Sequence, residues 1–267
     1  SVALAPRLTE TAFACGAGER VVGVTRYGTD PPEVRSRQEV GGYFAPNYEA
    51  ILRLRPDLVL ALEEHAEVRD RLVAAGLRVH AVNHKTIEGI LDSITTVGDA
   101  LGSPGSAAGL LAELDARVDA VRNAQGGGDR PRVLVVVDRA VGAGVPGKMY
   151  ICGSDRFFEP MLRWAGGENA YDGPDIAYPM VTPEGLLSMD PDVIIDLVPS
   201  TAGPETLLAA RADWEGMPGL HAQAAGRIHV WSEDYTMVPG PRFILALERL
   251  AEVFRADPPS RGTGVAR

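Results

Sequence analysis

The sequence predicts an α/β fold: two related α/β lobes with parallel sheets, joined by one long backbone helix. Three observations predict it. Short aliphatic runs alternate with amphipathic runs through both halves, the pattern of a parallel sheet covered on both faces. The segment YFAPNYEAILRLRPDLVLA (43–61) has a counterpart 135 positions later, YPMVTPEGLLSMDPDVIID (178–196). Tyr43 falls on Tyr178, Glu49 on Glu184, Leu52 on Leu187, Pro56 on Pro191 and Asp57 on Asp192. Between the halves, Leu110, Leu111, Leu114, Val118 and Val121 recur at helical spacing,. Ser103 can cap that helix, Pro104 suits its first position and Gly126 to Gly128 close it,. Its roughly twenty residues span about 30 Å. The expected divisions are a lobe at 1–103, the linking helix at 104–127 and a lobe at 128–267.

The elements follow in order. SVALA (1–5) reads as a strand stopped by Pro6, and RLTETAFACGAG (7–18) as a helix ending on glycine,. RVVGVT (20–25) is a strand, and the stretch from Tyr27 to Asn47 is a loop rich in glycine and proline,. A short helix from Tyr48 to Leu54 leads to the strand LVLAL (58–62). Helix 67–76, strand 78–82 and helix 86–102 complete the first lobe. The second repeats the scheme with strand 132–138, helix 155–167, a short helix and the strand DVIIDLV, helix 205–214, strand 227–231 and helix 241–254. RADPPSRGTGVAR reads as a frayed tail,.

Composition narrows the function. The 267 residues carry 45% hydrophobic and 23% charged side chains, as in globular domains. A formal charge of -10 argues against nucleic acid and against anionic lipid. No apolar run reaches the ~18 residues of a membrane span. Cys15 and Cys152 lie outside any CxxC motif; they either pair or stay as two buried thiols. No signal peptide is visible, so the protein is cytosolic or a leader and tether have been removed.

Candidate chemistry centres on aromatic loops. Ligands of open α/β sheets bind beyond the carboxyl ends of the strands. Tyr43 and Tyr178 stand at matching places, and Tyr27, Trp231 and Tyr235 follow strands. Such rings either wall a cleft for a large, flat ligand or pack their own loops. Glu49 and Glu184 each stand six residues after a tyrosine, in the first turn of a short helix. There they either serve the helix dipole or act as two acidic pins for a two-fold basic partner. Asp234 and Arg242 flank the loop YTMVPGP, as a polar clamp on ligand or as a surface ion pair. GAGVPGKM (142–149) has P-loop spacing but ends on Met149, where a magnesium-holding Ser or Thr is needed. The five histidines lack metal-ligand spacing,, and no catalytic triad or nucleophile elbow can be read.

These stretches resemble a family. ALAPRLTETAFACGAGERVVGVTRYGTDPPE and VGGYFAPNYEAILRLRPDLVLA resemble the N-lobe of periplasmic binding proteins for cobalamin and ferric siderophores, which feed ABC importers. GSDRFFEPMLRWAGGENAY and YPMVTPEGLLSMDPDVIID resemble their C-lobe. The resemblance implies a non-enzymatic carrier, periplasmic or membrane-tethered and monomeric, with no cofactor. Its ligand would be a corrinoid first, then a ferric siderophore, then haem, held between the lobes. It also implies permease docking through Glu49 and Glu184, aromatic ligand contacts at Tyr27, Tyr43 and Tyr178, and an acidic contact near Asp234. Members that bind cobalamin often carry tryptophan where this chain has Tyr43 and Tyr178. In haem-binding relatives a tyrosine near the Tyr43 position ligates iron, with a loop spacing that differs by one residue. Two rival readings remain, a two-lobed enzyme acting on a metal chelate and a cytosolic corrinoid or metal sensor. The first requires clustered Cys or His ligands or an activated nucleophile, and an upstream leader would exclude the second.

Overall fold

Alternating strands and helices build two compact units. The first comprises Ser1–Arg117 and Val238–Phe243, the second Val118–Met237 and the chain from Ile244 on. The structure, a computed structural model, describes residues 1–26, 28, 30–125 and 128–256. Tyr27, part of the glycine stop after the linking helix, and the predicted tail from residue 257 on lie outside the described residues.

In the first unit the order is β1 (Val2–Ala3), α1 (Pro6–Ala14), β2 (Gly23–Val24), β3 (Gln38–Glu39), α2 (Tyr48–Arg53), β4 (Val59–Leu62), α3 (Ala66–Ala74), β5 (Val79–Val82) and α4 (Ile87–Ala100). The sheet runs β3-β2-β1-β4-β5 with every pair parallel. Successive side chains point to opposite faces. Ala3, Leu60 and Leu62 therefore pack with Leu8 and Ala12 of α1 and Val97 of α4. Val2, Val59 and Ala61 pack on the other side with Ile51 of α2 and Val68 and Leu72 of α3. Burial on both faces is why these strands read as unbroken aliphatic runs.

The long helix α5 (Pro104–Asn123) has twenty residues, and the boundary between the units falls inside it, after Arg117. The second unit continues with β6 (Arg132–Arg139), β7 (Met149–Ile151), α6 (Phe158–Trp164), β8 (Glu168–Asn169), β9 (Met180–Val181), α7 (Pro183–Met189), β10 (Val193–Leu197), α8 (Pro204–Glu215), α9 (His221–Ala224), β11 (Ile228–Trp231) and α10 (Phe243–Ala256), whose first residue still counts with the first unit. Its sheet runs β11-β10-β6-β7-β9, with β8 beside β6.

The α/β class holds in both units, but the second sheet is mixed rather than parallel. β11, β10, β6 and β8 are parallel, while β7 runs antiparallel to β6 and β9. The link from Arg139 to Met149 is too short for a parallel crossover, which takes about a dozen residues or more. It turns back through Gly142 and Gly144, at φ +89° and +84°, values that favour glycine. Three further differences are local. The predicted loop 27–47 contains β3. The predicted strand 20–25 shrinks to β2, because Gly18–Arg20 form a 3-10 turn. Finally, α6 starts at Phe158 rather than Asp155, whose carboxylate accepts the Phe157 and Phe158 amides at 2.6 Å each.

Candidate functional site

The carboxyl ends of the first unit's strands carry a joined polar and aromatic cluster. Beyond β3 the chain makes a tight loop in which Gly41 bridges Pro46 and the Asn47 amide donates to the Val40 carbonyl at 2.7 Å. Gly41 sits at φ +95°, and a Cβ there would come within 2.7 Å of the Asn47 nitrogen. The loop carries Tyr43 and Phe44, whose rings meet edge to face at 4.4 Å. Phe44 is 76% exposed, a large apolar surface that folding alone does not require.

Tyr43 is held by residues from two other strand ends. Its hydroxyl donates to Glu64 Oε1 at 2.6 Å and accepts a hydrogen bond from Arg7 Nη2. Arg7 also pairs with Glu64 at 2.9 Å, and its guanidinium carbon lies 5.5 Å from the Tyr43 ring centroid. Arg7 occupies the first turn of α1, where the helix dipole disfavours a cation, so helix stability does not explain its position. Beneath the loop, the buried His65 packs its ring 4.6 Å from that of Tyr43. His65 Nδ1 accepts the Leu62 amide at 3.3 Å, so a neutral ring carries its proton on Nε2.

The electrostatics favour a neutral phenol. Burial, then the hydrogen bond to Glu64, pushes the Tyr43 hydroxyl up to about 12. Burial raises Glu64, but the Tyr43 hydroxyl, its own backbone amide and Arg7 outweigh it and hold the carboxyl below its usual range. Burial lowers His65. The cluster can therefore present an aromatic face, a cation and a phenol whose proton is already directed at a carboxylate.

His84, one strand along, is buried between Ser93 and the returning segment. Its Nε2 lies 2.7 Å from Ser93 Oγ and its Nδ1 3.1 Å from the Pro239 carbonyl, which can only accept. Arg242, from the same segment, makes a two-point ion pair with Glu10 of α1 at 2.6 and 3.1 Å and stands 3.4 Å from Asp30. Glu10 is 7% exposed, and a carboxylate so buried needs a cation. A cavity of about 480 Å³ opens beside these residues, but none of the Tyr43 cluster lines it.

In the second unit Tyr178 is 48% exposed. Val181 of β9 pairs with Met149, which pairs with Arg139 at the end of β6. Tyr178 thus stands three residues back from that end, whereas Tyr43 lies beyond its strand. Tyr150 and Met180 are 46% and 54% exposed and directly paired across β7 and β9, so they share a face. Trp231, at the end of β11, is only 2% exposed, with the Arg249 guanidinium 4.3 Å from its ring centroid. Its indole is packed rather than open. Asp234 and Tyr235 form the 3-10 turn that follows, both half-buried.

The P-loop-like stretch has a different use. The Gly142 and Gly144 amides donate to the Asp213 carboxylate at 2.8 and 2.7 Å, and Arg139 Nη1 donates to it at 2.8 Å. Burial raises Asp213, but the Arg139 bond and the two amides hold it below the usual carboxylate range. Arg139 also pairs with Asp196, which accepts the Trp214 indole N–H at 2.8 Å. The amides that could cradle a phosphate hold an internal carboxylate instead.

Comparison with known proteins decides the family. A model of the periplasmic binding protein family matches residues 2–234. The chain belongs to the periplasmic binding protein family. It is 30% identical to a cobalamin-binding protein of Halobacterium salinarum over 95% of this chain and 68% of that one. It is 29% identical to the uncharacterized ABC transporter substrate-binding lipoprotein YvrC of Bacillus subtilis, over 96% and 80%. Its fold matches the solved periplasmic haem-binding protein RhuT of Roseiflexus with a TM-score of 0.80 and 28% identity, covering 96% and 97%.

Within this periplasmic binding protein, sequence reasoning found Tyr43 and Tyr178 but not Arg7, Phe44, Glu64 or Tyr150. Phe44 was signalled by its place beside Tyr43 after two glycines. Arg7 and Glu64 had no local signal, since strand order alone brings them to Tyr43. Among the described residues no group of three or more His, Cys, Asp or Glu could hold a metal ion. No described helix is long and apolar enough to cross a membrane.

Proposed function

We propose that the protein is a non-enzymatic solute-binding protein that delivers a large metal chelate, a corrinoid such as cobalamin, to the permease of an ABC importer. It would work in the periplasm or tethered outside the membrane. The observation that carries this reading is the Tyr43 cluster, where an exposed aromatic loop at the strand ends is backed by a fixed cation and carboxylate. Aromatic faces bury much ligand area at little entropic cost, and Arg7 and Glu64 can orient the amide-rich edge of a corrinoid. Tyr178, Tyr235 and Asp234 are proposed as further ligand contacts, while Trp231 is packed against Arg249 and Arg242 is held by Glu10. Tyr27 remains a proposed contact through the family resemblance. The family membership and the cobalamin-binding relative support the reading.

Haem is the second reading. It is favoured by the arginine-supported Tyr43 hydroxyl and by the likeness to a haem-binding structure. Titration with cyanocobalamin, dicyanocobinamide, ferric hydroxamate, ferric catecholate and haemin tests both, following tryptophan fluorescence and the visible spectrum after desalting. Corrinoid retained at one per chain is the expected result. Retained haem or ferric chelate would keep the carrier and replace its ligand, and retention of none would defeat the chelate assignment.

A further inference from the structure

Two consecutive residues of one short turn reach Tyr43. Glu63–His65 form a 3-10 turn between β4 and α3. Glu64 accepts the Tyr43 hydroxyl at 2.6 Å, and His65 meets the Tyr43 ring at 4.6 Å and 66°. The His65 ring also stands 6.3 Å from that of Phe44, at 86°, while Tyr43 and Phe44 lie at 90° to one another. Three rings thus make one edge-to-face corner. His65 is its buried member, at 2% exposure, and Phe44 its open one, at 76%. Aromatic pairs in that arrangement attract beyond the area they bury.

The other edge of the imidazole closes the turn. Its Nδ1 accepts the Leu62 amide, three residues back. Burial holds the ring below its usual range, against the pull of Glu64, so the Nδ1 lone pair stays available. Nε2, on the far side of the ring, is buried without a hydrogen-bond partner among the described residues. A buried donor left unpaired is unfavourable, so packing alone would be served as well by an apolar side chain here. Leucine supplies neither an acceptor nor an aromatic edge, phenylalanine only the edge, and asparagine only the acceptor. Imidazole supplies both from one buried position.

We propose that His65 is a positioning residue for chelate binding: it closes the turn that aims Glu64 at the Tyr43 hydroxyl, and it fixes the Tyr43 and Phe44 rings in the orientation a flat ligand meets. The proposal rests on the carrier reading above and deepens it by naming what sets the ligand loop. His65 does not itself touch the ligand, since it is buried beneath the loop. It acts by ordering two aromatic side chains before the ligand arrives, which lowers the cost of binding.

The test uses the full chain with three single changes, His65→Leu, His65→Asn and His65→Phe. Cyanocobalamin and haemin are titrated into each by calorimetry, and melting temperatures are taken in parallel. His65→Leu should weaken binding about ten-fold, the ordering of two side chains. His65→Asn should recover part of the loss through its acceptor, and His65→Phe part through its ring. Long-range proton–nitrogen NMR of the wild type should place the His65 proton on Nε2, with and without ligand. A proton on Nδ1 would overturn the role, because Nδ1 could not then accept the Leu62 amide. Wild-type affinity in all three variants would also overturn it and leave the carrier reading intact. So would losses that only follow the melting temperature, with no recovery in His65→Asn or His65→Phe, since general loss of packing gives that pattern. If His65→Leu does not fold, the other two decide: each must bind more weakly than the wild type. A wild type that binds neither cyanocobalamin nor haemin would overturn the Tyr43 site itself, and this role with it.

Discussion

Tyr43 is defined by what its hydroxyl touches. The phenol donates to Glu64 and accepts from Arg7, so its ring is fixed before any ligand arrives, which reduces the ordering cost of binding. Tyr43→Ala should weaken chelate binding by roughly 1–3 kcal/mol, the loss of a packed aromatic. Tyr43→Phe keeps the ring and leaves Arg7 paired with Glu64, so a corrinoid stacked on the ring should lose only about 1 kcal/mol or less. Calorimetry on both variants checks this. Equal losses would mean that the hydroxyl, not the ring, meets the ligand, as the haem reading requires. At this scale the sequence was half legible. An aromatic between Gly42 and Pro46 signals itself, but Arg7 and Glu64 lie 36 and 21 positions away and meet it only through the order β3-β2-β1-β4.

Among the elements, the helices other than the four-residue α9 were legible, and several short strands were not. Ser103 and Pro104, and Thr86 as the cap of α4, place helix starts within a residue or two. β3, β8 and β9 have two residues each, too few to show a period, and they exist because neighbouring strands pair with them. The links between elements also hold a testable charge effect. Burial, then the nearby Arg7 charge, pushes His84 down to about 4, against the opposing effects of the Pro239 carbonyl and Glu64. An unfolded histidine titrates near 6.5, so between about pH 6.5 and 4 the unfolded chain binds a proton that the folded chain refuses. Stability from this site is full above about pH 6.5 and falls as the pH drops, by about 3 kcal/mol in all. Urea unfolding of the wild type from pH 7.5 to 4 should show that slope, and His84→Gln should flatten it. Parallel slopes would mean that His84 charges without cost.

For the whole molecule, the internal repeat made two units legible, and the covering of both sheet faces followed from the aliphatic runs. The return of Val238–Phe243 to the first unit was not legible. It depends on His84 reaching Pro239 and Glu10 reaching Arg242, pairs separated by 155 and 232 positions. The cysteines show what long-range structure decides. Both are free and buried. Burial raises Cys15 to about 11 and, with the Asp155 carboxylate, raises Cys152 well above its usual value. Thiolates are the reactive form. Ellman's reagent should therefore label neither thiol rapidly in the native protein and two per chain in guanidinium, and reductant should leave the melting temperature unchanged. Rapid native labelling would contradict the burial.

The backbone repeats as well as the letters. Among the described residues, the two non-glycine positions with left-handed backbones are Arg55, φ +46°, and Asp190, φ +42°, which the alignment of the halves superposes. Each sits after a capped helix and before a proline. Cap, helix, left-handed turn, proline and strand thus form one cassette cut to the same length twice. Such cassettes are interchangeable in principle: the stretch from Thr182 to Val193 already has the bends needed to stand in for Asn47 to Leu58. A molecule built this way can change the outer face of one half by copying from the other, with no new loop to invent.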